Sequence, residues 1–283
     1  MQVSDVMTPR GDLVTATVPG SREDVLRVLQ DRAFSSVPVI KESEDGEVFR
    51  GLVSRERLIE EPDEEQLALL LEEIEPIEPT TDLVALAQHM VRTGARRVPV
   101  VDGGLDGIVT ITDVVHALAN GELAVEDEVG QYAASRINTV FVEATLPAAE
   151  RCLYYSEEPY AVVLDDEGDI TGMLTEVDIV EVAEVVQGSE GWGDSIANED
   201  SEWAWEGIKA IGNRILPTRN VEFPDEHVRA VMSEDVITIS GTRSVKEAAQ
   251  LLIGNDIEQL PVMQGDQLVG IVKDMNLLNA INE

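Results

Sequence analysis

One cysteine, three histidines and four lysines are all that 283 residues contain of those types. The lone thiol, Cys152, excludes an intramolecular disulfide and any cysteine-rich zinc site, and is expected to pack as a small apolar side chain. His89, His116 and His227 lie far apart and share no metal-ligand spacing, so no metal centre is expected. No run approaches the roughly 18 to 20 apolar residues that span a bilayer. The opening MQVSDVMTPRGD does not resemble a signal peptide, and a soluble cytoplasmic protein is expected. Catalytic signatures are missing too: there is no nucleophile–base set and no phosphate-binding loop. Gly188-x-x-Gly191-x-Gly193 has the wrong spacing for a dinucleotide fingerprint, so the chain is not expected to be an enzyme or to use a catalytic cofactor.

Positive charge is also scarce. Twenty Lys plus Arg face 56 Asp plus Glu, a formal net charge of -36. That excludes non-specific binding to nucleic acid or an anionic membrane, both of which need basic patches. Such a surface suits a halophilic, high-salt cytoplasm, where counterions screen self-repulsion. Carboxylates in this abundance need no divalent-cation site to explain them. With 43% hydrophobic residues there is material for a sizeable core.

What is present is repetition. A motif of apolar-Pro-Val, a turn, then Gly and two apolar residues occurs at Val37-Pro38-Val39 with Gly51-Leu52-Val53. It returns at Val98-Pro99-Val100 with Gly107-Ile108-Val109, and at Leu260-Pro261-Val262 with Gly270-Ile271-Val272. A degenerate copy, Ala161-Val162-Val163 with Gly172-Met173-Leu174, replaces proline with valine. Measured at the proline position, the copies are 61, 63 and 99 residues apart. Each carries a short apolar strand (Leu13–Thr17, Thr139–Val142, Val236–Ile239), then a helix opened by a cap such as Ser21 or the Ser244-x-x-Glu247 box. Val245, Ala248, Ala249, Leu252 and Ile253 mark one face of that helix in the last copy. Two strands joined by a Gly- or Asp-containing turn and a final helix complete a β-α-β-β-α unit. About 55 to 60 residues bury too little surface to be stable alone, so the copies are expected to pair through their exposed sheet faces.

VSDVMTP at 3–9, VRAVMSEDVITIS at 228–240 and the four repeated units resemble CBS repeats, the family named after cystathionine β-synthase. The resemblance implies an α+β fold of four β-α-β-β-α CBS repeats paired into two Bateman modules, disc-like, of the stand-alone archaeal type; the acidic bias points to a haloarchaeal member. The repeats are bounded at 1–60, 61–122, 123–186 and 226–283, with an insertion or linker at 187–225. In that family the module clefts can bind adenosine-containing ligands. The carboxylate of an [S/T]-x-x-D motif at the start of the last helix accepts from ribose hydroxyls, and the hydroxyl can meet phosphate.

Only two copies keep that pattern, Thr110 with Asp113 and Thr175 with Asp178. Copy one has Ser54 and Arg57, and copy four has Lys273 and Asn276. Two readings stand: ligand contact, or an ordinary helix capping box that needs no ligand. Arg96 and Arg97, just before Val98-Pro99, are candidate phosphate contacts; they could also neutralise the acidic surface. Ser36, Tyr160 and Gln259 stand at the position of Arg97 in the other copies, all uncharged. Strands around Pro99 and Val162 are expected to sandwich adenine and offer backbone groups to its edge. Arg10 is expected to be exposed.

The insertion gathers all three tryptophans, Trp192, Trp203 and Trp205, which suggests an interface or lid; a helix packed on its own module is the plainer alternative. That helix, capped by Asp200 or Ser201, would place Trp205, Ile208, Lys209 and Gly212 along one side. The expectation is a regulatory protein that binds AMP, ADP, ATP or S-adenosylmethionine and signals to a regulated protein partner, as a possible homodimer. An interaction scaffold with degenerate ligand sites is the alternative.

Overall fold

A computed structural model of the chain describes residues 1–32, 36–43, 46–54, 57–58, 61, 64–182, 184–185, 208–210, 215–217, 221–222 and 224–282. They fall into two compact units. One comprises Met1–Ser54, Glu65–Arg136 and Ile237–Glu283; the other comprises Arg55–Glu64 and Ile137–Val236.

Repeat one supplies β1 (Thr8–Pro9), β2 (Ala16–Thr17), α1 (Arg22–Arg32), β3 (Ser36–Ser43) and β4 (Gly46–Ser54). Repeat two supplies α2 (Leu83–Thr93), β5 (Arg97–Asp102), β6 (Gly104–Thr110) and α3 (Ile111–Asn120); its first strand is reduced to a parallel bridge from Ile77 to Val100. Repeat three follows with β7 (Thr139–Phe141), α4 (Leu146–Ser156), β8 (Tyr160–Leu164), β9 (Ile170–Thr175) and α5 (Glu176–Val182). Repeat three ends with β10 (Glu184–Val185), and the insertion contributes β11 (Ile208–Ala210), β12 (Ile215–Pro217) and β13 (Val221–Glu222). Repeat four closes with β14 (Ile239–Ser240), α6 (Val245–Asn255), β15 (Gln259–Gln264), β16 (Gln267–Lys273) and α7 (Asp274–Leu278). The first strands are shorter than expected, beginning at Ala16 rather than Leu13 and at Ile239 rather than Val236.

The repetition extends to the hydrogen-bond register. In every repeat the motif's Val pairs with its Gly: Val39 with Gly51, Val100 with Gly107, Val163 with Gly172 and Val262 with Gly270. The register shifts just after that valine in all four hairpins. A bulge at one fixed place turns the rest of each hairpin out of the ladder.

Those glycines have a reason. A Cβ on Gly107 would stand 2.5 Å from the Thr8 carbonyl, and one on Gly51 2.8 Å from that of Glu72. On Gly172 it would meet the Ser233 carbonyl at 3.0 Å, and on Gly270 the Ala134 carbonyl at 3.1 Å. Each crossing backbone is the leader of a different repeat. Leader one bridges repeat two (Gln2 to Asp82, Thr8 to Ile108), and leader two bridges repeat one (Ser21 to Gln66, Leu52 to Glu72). Leader three bridges repeat four (Glu128 to Ser244, Ala134 to Ile271), and leader four bridges repeat three (Thr145 to His227, Met173 to Ser233). Repeats one and two thus exchange leaders, as do three and four. Val3, Leu67, Val129 and Val228 seat these leaders, each fully buried. A fully buried valine or leucine contributes roughly 1.5–3 kcal/mol.

In the first unit the helices of repeats two and four share one core. Val114, Val115 and Leu118 of α3 join Val245, Ala248, Ala249 and Leu252 of α6 in a single buried cluster. Gln250 Nε2 donates to the Ala119 carbonyl at 3.0 Å across this junction. Ser244 opens α6 as expected, accepting from the Glu247 amide at 3.2 Å. Gly254 sits exposed in the last turn of α6 with nothing within 4 Å of a built Cβ. Replacing it with alanine is therefore expected to stabilise the chain by about 0.5–1 kcal/mol, read as a rise in thermal midpoint.

In the second unit Val140, Ala149, Leu153, Ala161, Val163, Leu174 and Ile179 form the core with Val228. Cys152 does not pack as expected: it lies exposed on α4. The helix expected through Ile208 and Gly212 is also overturned at its far end, because Ile208–Ala210 is a strand paired antiparallel with Ile215–Pro217. Gly212-Asn213 lies between them, a sequence suited to a hairpin connection, and Ile208 favours strand. The three tryptophans and the proposed cap at Asp200 or Ser201 lie outside the described residues.

Candidate functional site

The corner where a hairpin's second strand enters the final helix is the candidate site. In repeat two, Arg97 starts β5 directly opposite Thr110, which ends β6; two residues on, Pro99 faces Ile108. Period-two alternation puts these four on one sheet face, while fully buried Val98, Val100 and Val109 point the other way into the helical core.

Thr110 caps α3. Its amide donates to Asp113 Oδ2 at 2.7 Å and its hydroxyl donates to the same oxygen at 2.8 Å. The hydroxyl proton thus serves to orient the carboxylate. Because both bonds fall on Oδ2, Oδ1 is the oxygen available to further donors. Thr110 and Asp113 are each only partly buried, so the group is reachable. A carboxylate oxygen is acceptor-only, which matches a vicinal diol with two O–H donors.

Repeat three reproduces this arrangement. Thr175 donates from its amide and its hydroxyl to Asp178 Oδ2, both at 2.7 Å, and accepts from the Asp178 amide at 3.3 Å. Opposite Thr175 stands Tyr160, 1% exposed, where repeat two has Arg97. Burial, then the charge of Glu158, pushes the Tyr160 phenol well above its ordinary range.

The remaining corners differ. In repeat four the Lys273 amide donates to Asn276 Oδ1 at 2.8 Å, so an amide side chain performs the same capping. In repeat one Ser54 Oγ donates to Glu72 Oε1 at 3.0 Å and Arg57 pairs with Glu61 at 3.6 Å.

Arg96 and Arg97 diverge although adjacent. The Arg96 fork donates to both carboxylate oxygens of Asp274 at 3.0 and 2.5 Å, with Glu258 at 3.3 Å from the same fork. Arg96 thereby joins repeats two and four. Arg97 is partly buried on the site face beside Thr110. Arg10, expected to be exposed, is held bidentate by Glu47 at 2.9 and 3.0 Å. Pro99 and Val162 are buried, and each has one backbone group in a hydrogen bond to a neighbouring segment. The Pro99 carbonyl accepts from Ile77 at 3.0 Å, and the Val162 amide donates to Asn138 at 2.9 Å. They belong to the wall of the corner.

Among the described residues no cluster of His, Cys, Asp and Glu is arranged to hold a metal ion. Nor, among them, is any helix long and apolar enough to cross a membrane.

The CBS domain family matches residues 3–64, 69–120, 129–184 and 228–283. The chain is similar to an uncharacterised protein of Methanocaldococcus jannaschii, 23% identical over 281 residues. That alignment covers 99% of this chain but 61% of the relative, so the chain spans less than two thirds of that longer protein. A solved structure of a conserved protein from Pyrococcus horikoshii superposes with a TM-score of 0.68 at 26% identity, covering 99% of this chain and 100% of that one. A second M. jannaschii protein superposes at a TM-score of 0.66 with 17% identity and 99% coverage of both chains, a likeness of fold. Four family matches coincide with the four hairpin registers and their exchanged leaders, and the chain belongs to the CBS domain family.

Proposed function

We propose that this chain is a regulatory, non-catalytic sensor that binds an adenosine-containing ligand and passes occupancy to a protein partner in a high-salt cytoplasm. The observation that carries this is the corner of repeat two. Asp113 is fixed through Oδ2 alone, which leaves Oδ1 to accept from a diol, and Arg97 stands across the strand pair from Thr110. AMP, ADP, ATP and S-adenosylmethionine all carry the required ribose. A charge-assisted hydrogen bond contributes about 1.5–3 kcal/mol, enough for Arg97 to separate phosphorylated from unphosphorylated ligands. Signalling requires the ligand to favour one of two conformations, since equal affinity for both shifts nothing.

The competing reading is a scaffold whose threonine–aspartate pairs are only helix caps. Asn276 favours it, because that residue caps α7 without a carboxylate. The same residue also supplies the clean test: Asp113→Asn with Asp178→Asn preserves the cap and removes the anionic acceptor. Calorimetry in molar KCl with the four ligands is expected to give saturable heat for the native chain. The doubly substituted chain is expected to bind at least about tenfold more weakly at an unchanged melting temperature. If no ligand binds the native chain, the scaffold reading is the correct one.

A further inference from the structure

The first helix of repeat three turns an apolar, aromatic face outward. Pro147, Ala148, Arg151, Cys152 and Tyr155 of α4 are all exposed, and their spacing sets them in a single stripe. Tyr155 is the extreme, 75% exposed, with its ring edge-on to that of Tyr154 at 5.2 Å. Counted from the capping residues Ser21, Asp82, Thr145 and Ser244, the place of Tyr155 belongs to Asp31, Arg92 and Gly254 in the other repeats. The place of Cys152 belongs in α2 to His89, which is buried. The stripe also carries no carboxylate, although 56 of the 283 residues are Asp or Glu. Its one charge, Arg151, pairs with Glu150 at 3.3 Å and lies over the Tyr154 ring.

We propose that this face of α4 docks a second copy of the chain, as an antiparallel pair of α4 helices about a two-fold axis. Self-complementarity singles out that occupant. In a two-fold contact residue i meets j while j meets i. The bulky Tyr155 stands two turns, about 10 Å, from the small Pro147 and Ala148, so each copy's ring covers the small residues of the other. The axis then passes beside Arg151 and Cys152, midway between Ala148 and Tyr155. Charge selects the same occupant. The stripe offers a basic partner no carboxylate, and two acid-free stripes are where two strongly acidic copies approach with least repulsion. One helix pair is a small contact, below roughly 1,200 Å², so the dimer is expected at micromolar concentrations and above. It should strengthen with KCl, as the like charge of the two copies is screened. This docking is independent of ligand binding.

Analytical sedimentation of the full chain in molar KCl tests this, in native, Tyr155→Asp and Cys152→Ser forms. The native chain is expected to dimerise, and Tyr155→Asp to weaken the dimer about tenfold or more by removing the aromatic anchor. Tyr155 is exposed enough that the substituted chain should keep its melting temperature. Cys152 is the only cysteine, so a short bis-maleimide should link native copies into a covalent dimer and leave Cys152→Ser unlinked. A native chain that stays monomeric overturns the proposal and leaves the face to a different protein. So does a dimer that Tyr155→Asp forms equally well, or one that the bis-maleimide fails to link.

Discussion

Asp274→Ala is expected to destabilise the chain by about 3 kcal/mol, lowering its thermal midpoint by roughly 6 to 12 °C. Asp274 begins α7 with its side chain 11% exposed, and it receives both arms of the Arg96 fork. Removing the acid leaves a guanidinium, 25% exposed, facing a site shaped for its counter-charge. The penalty comes chiefly from that stranded charge, because a buried pair as a whole roughly offsets its own desolvation. Glu258 remains 3.3 Å from Arg96, which holds the loss near the lower end of the buried-pair range. Arg96→Met combined with Asp274→Leu should therefore recover most of the stability. Denaturant titration of the two single and one double variants measures this; a double variant as unstable as Asp274→Ala contradicts the assignment.

Gly107→Val is expected to cost about 3 kcal/mol, by overpacking rather than by lost charge. Its Cβ would lie 2.5 Å from the Thr8 carbonyl and 2.8 Å from Met7 Sδ. Thr8 belongs to a two-residue strand whose leader is also held by Val3 donating to the Thr81 carbonyl at 2.8 Å and Leu83 donating to that of Met1 at 3.1 Å. The leader cannot retreat without breaking those bonds. Hydrogen exchange at the Val3 and Leu83 amides should accelerate selectively in the variant. Gly11→Ala, where nothing lies within 4 Å of a built Cβ, is the control and should change stability little. Unaltered protection at Val3 would mean that the leader does not depend on Gly107.

These two sites show where sequence reasoning ends. Spacing within one repeat is local, and the hairpins, the α6 box at Ser244 and the apolar face from Val245 to Leu252 follow from it. The glycines were legible as positions but not as causes, because the atom each accommodates belongs to another repeat's leader. Arg96 and Asp274 lie 178 residues apart, and no periodicity links them. The same distance hid the difference between Arg96 and Arg97: identical neighbours in sequence, one precedes β5 and pairs with Asp274, while the other opens β5 opposite Thr110. Asn276 looked like a lost site because an amide carries no charge; its capping oxygen needs none. In the insertion, one helical stripe competed with a β-branched residue and a Gly-Asn pair, and pairing with Ile215–Pro217 decided for strand at Ile208–Ala210.

The most direct test of the site is to remove the diol instead of the protein group. Calorimetry of the native chain should give AMP at least about tenfold tighter binding than its 2′,3′-dideoxy analogue, since Asp113 Oδ1 loses charge-assisted hydrogen bonds. With Asp113→Asn the gap should largely close. Equal affinity of the native chain for both compounds would contradict a carboxylate that grips ribose, and would leave Asp113 as the cap of α3 alone.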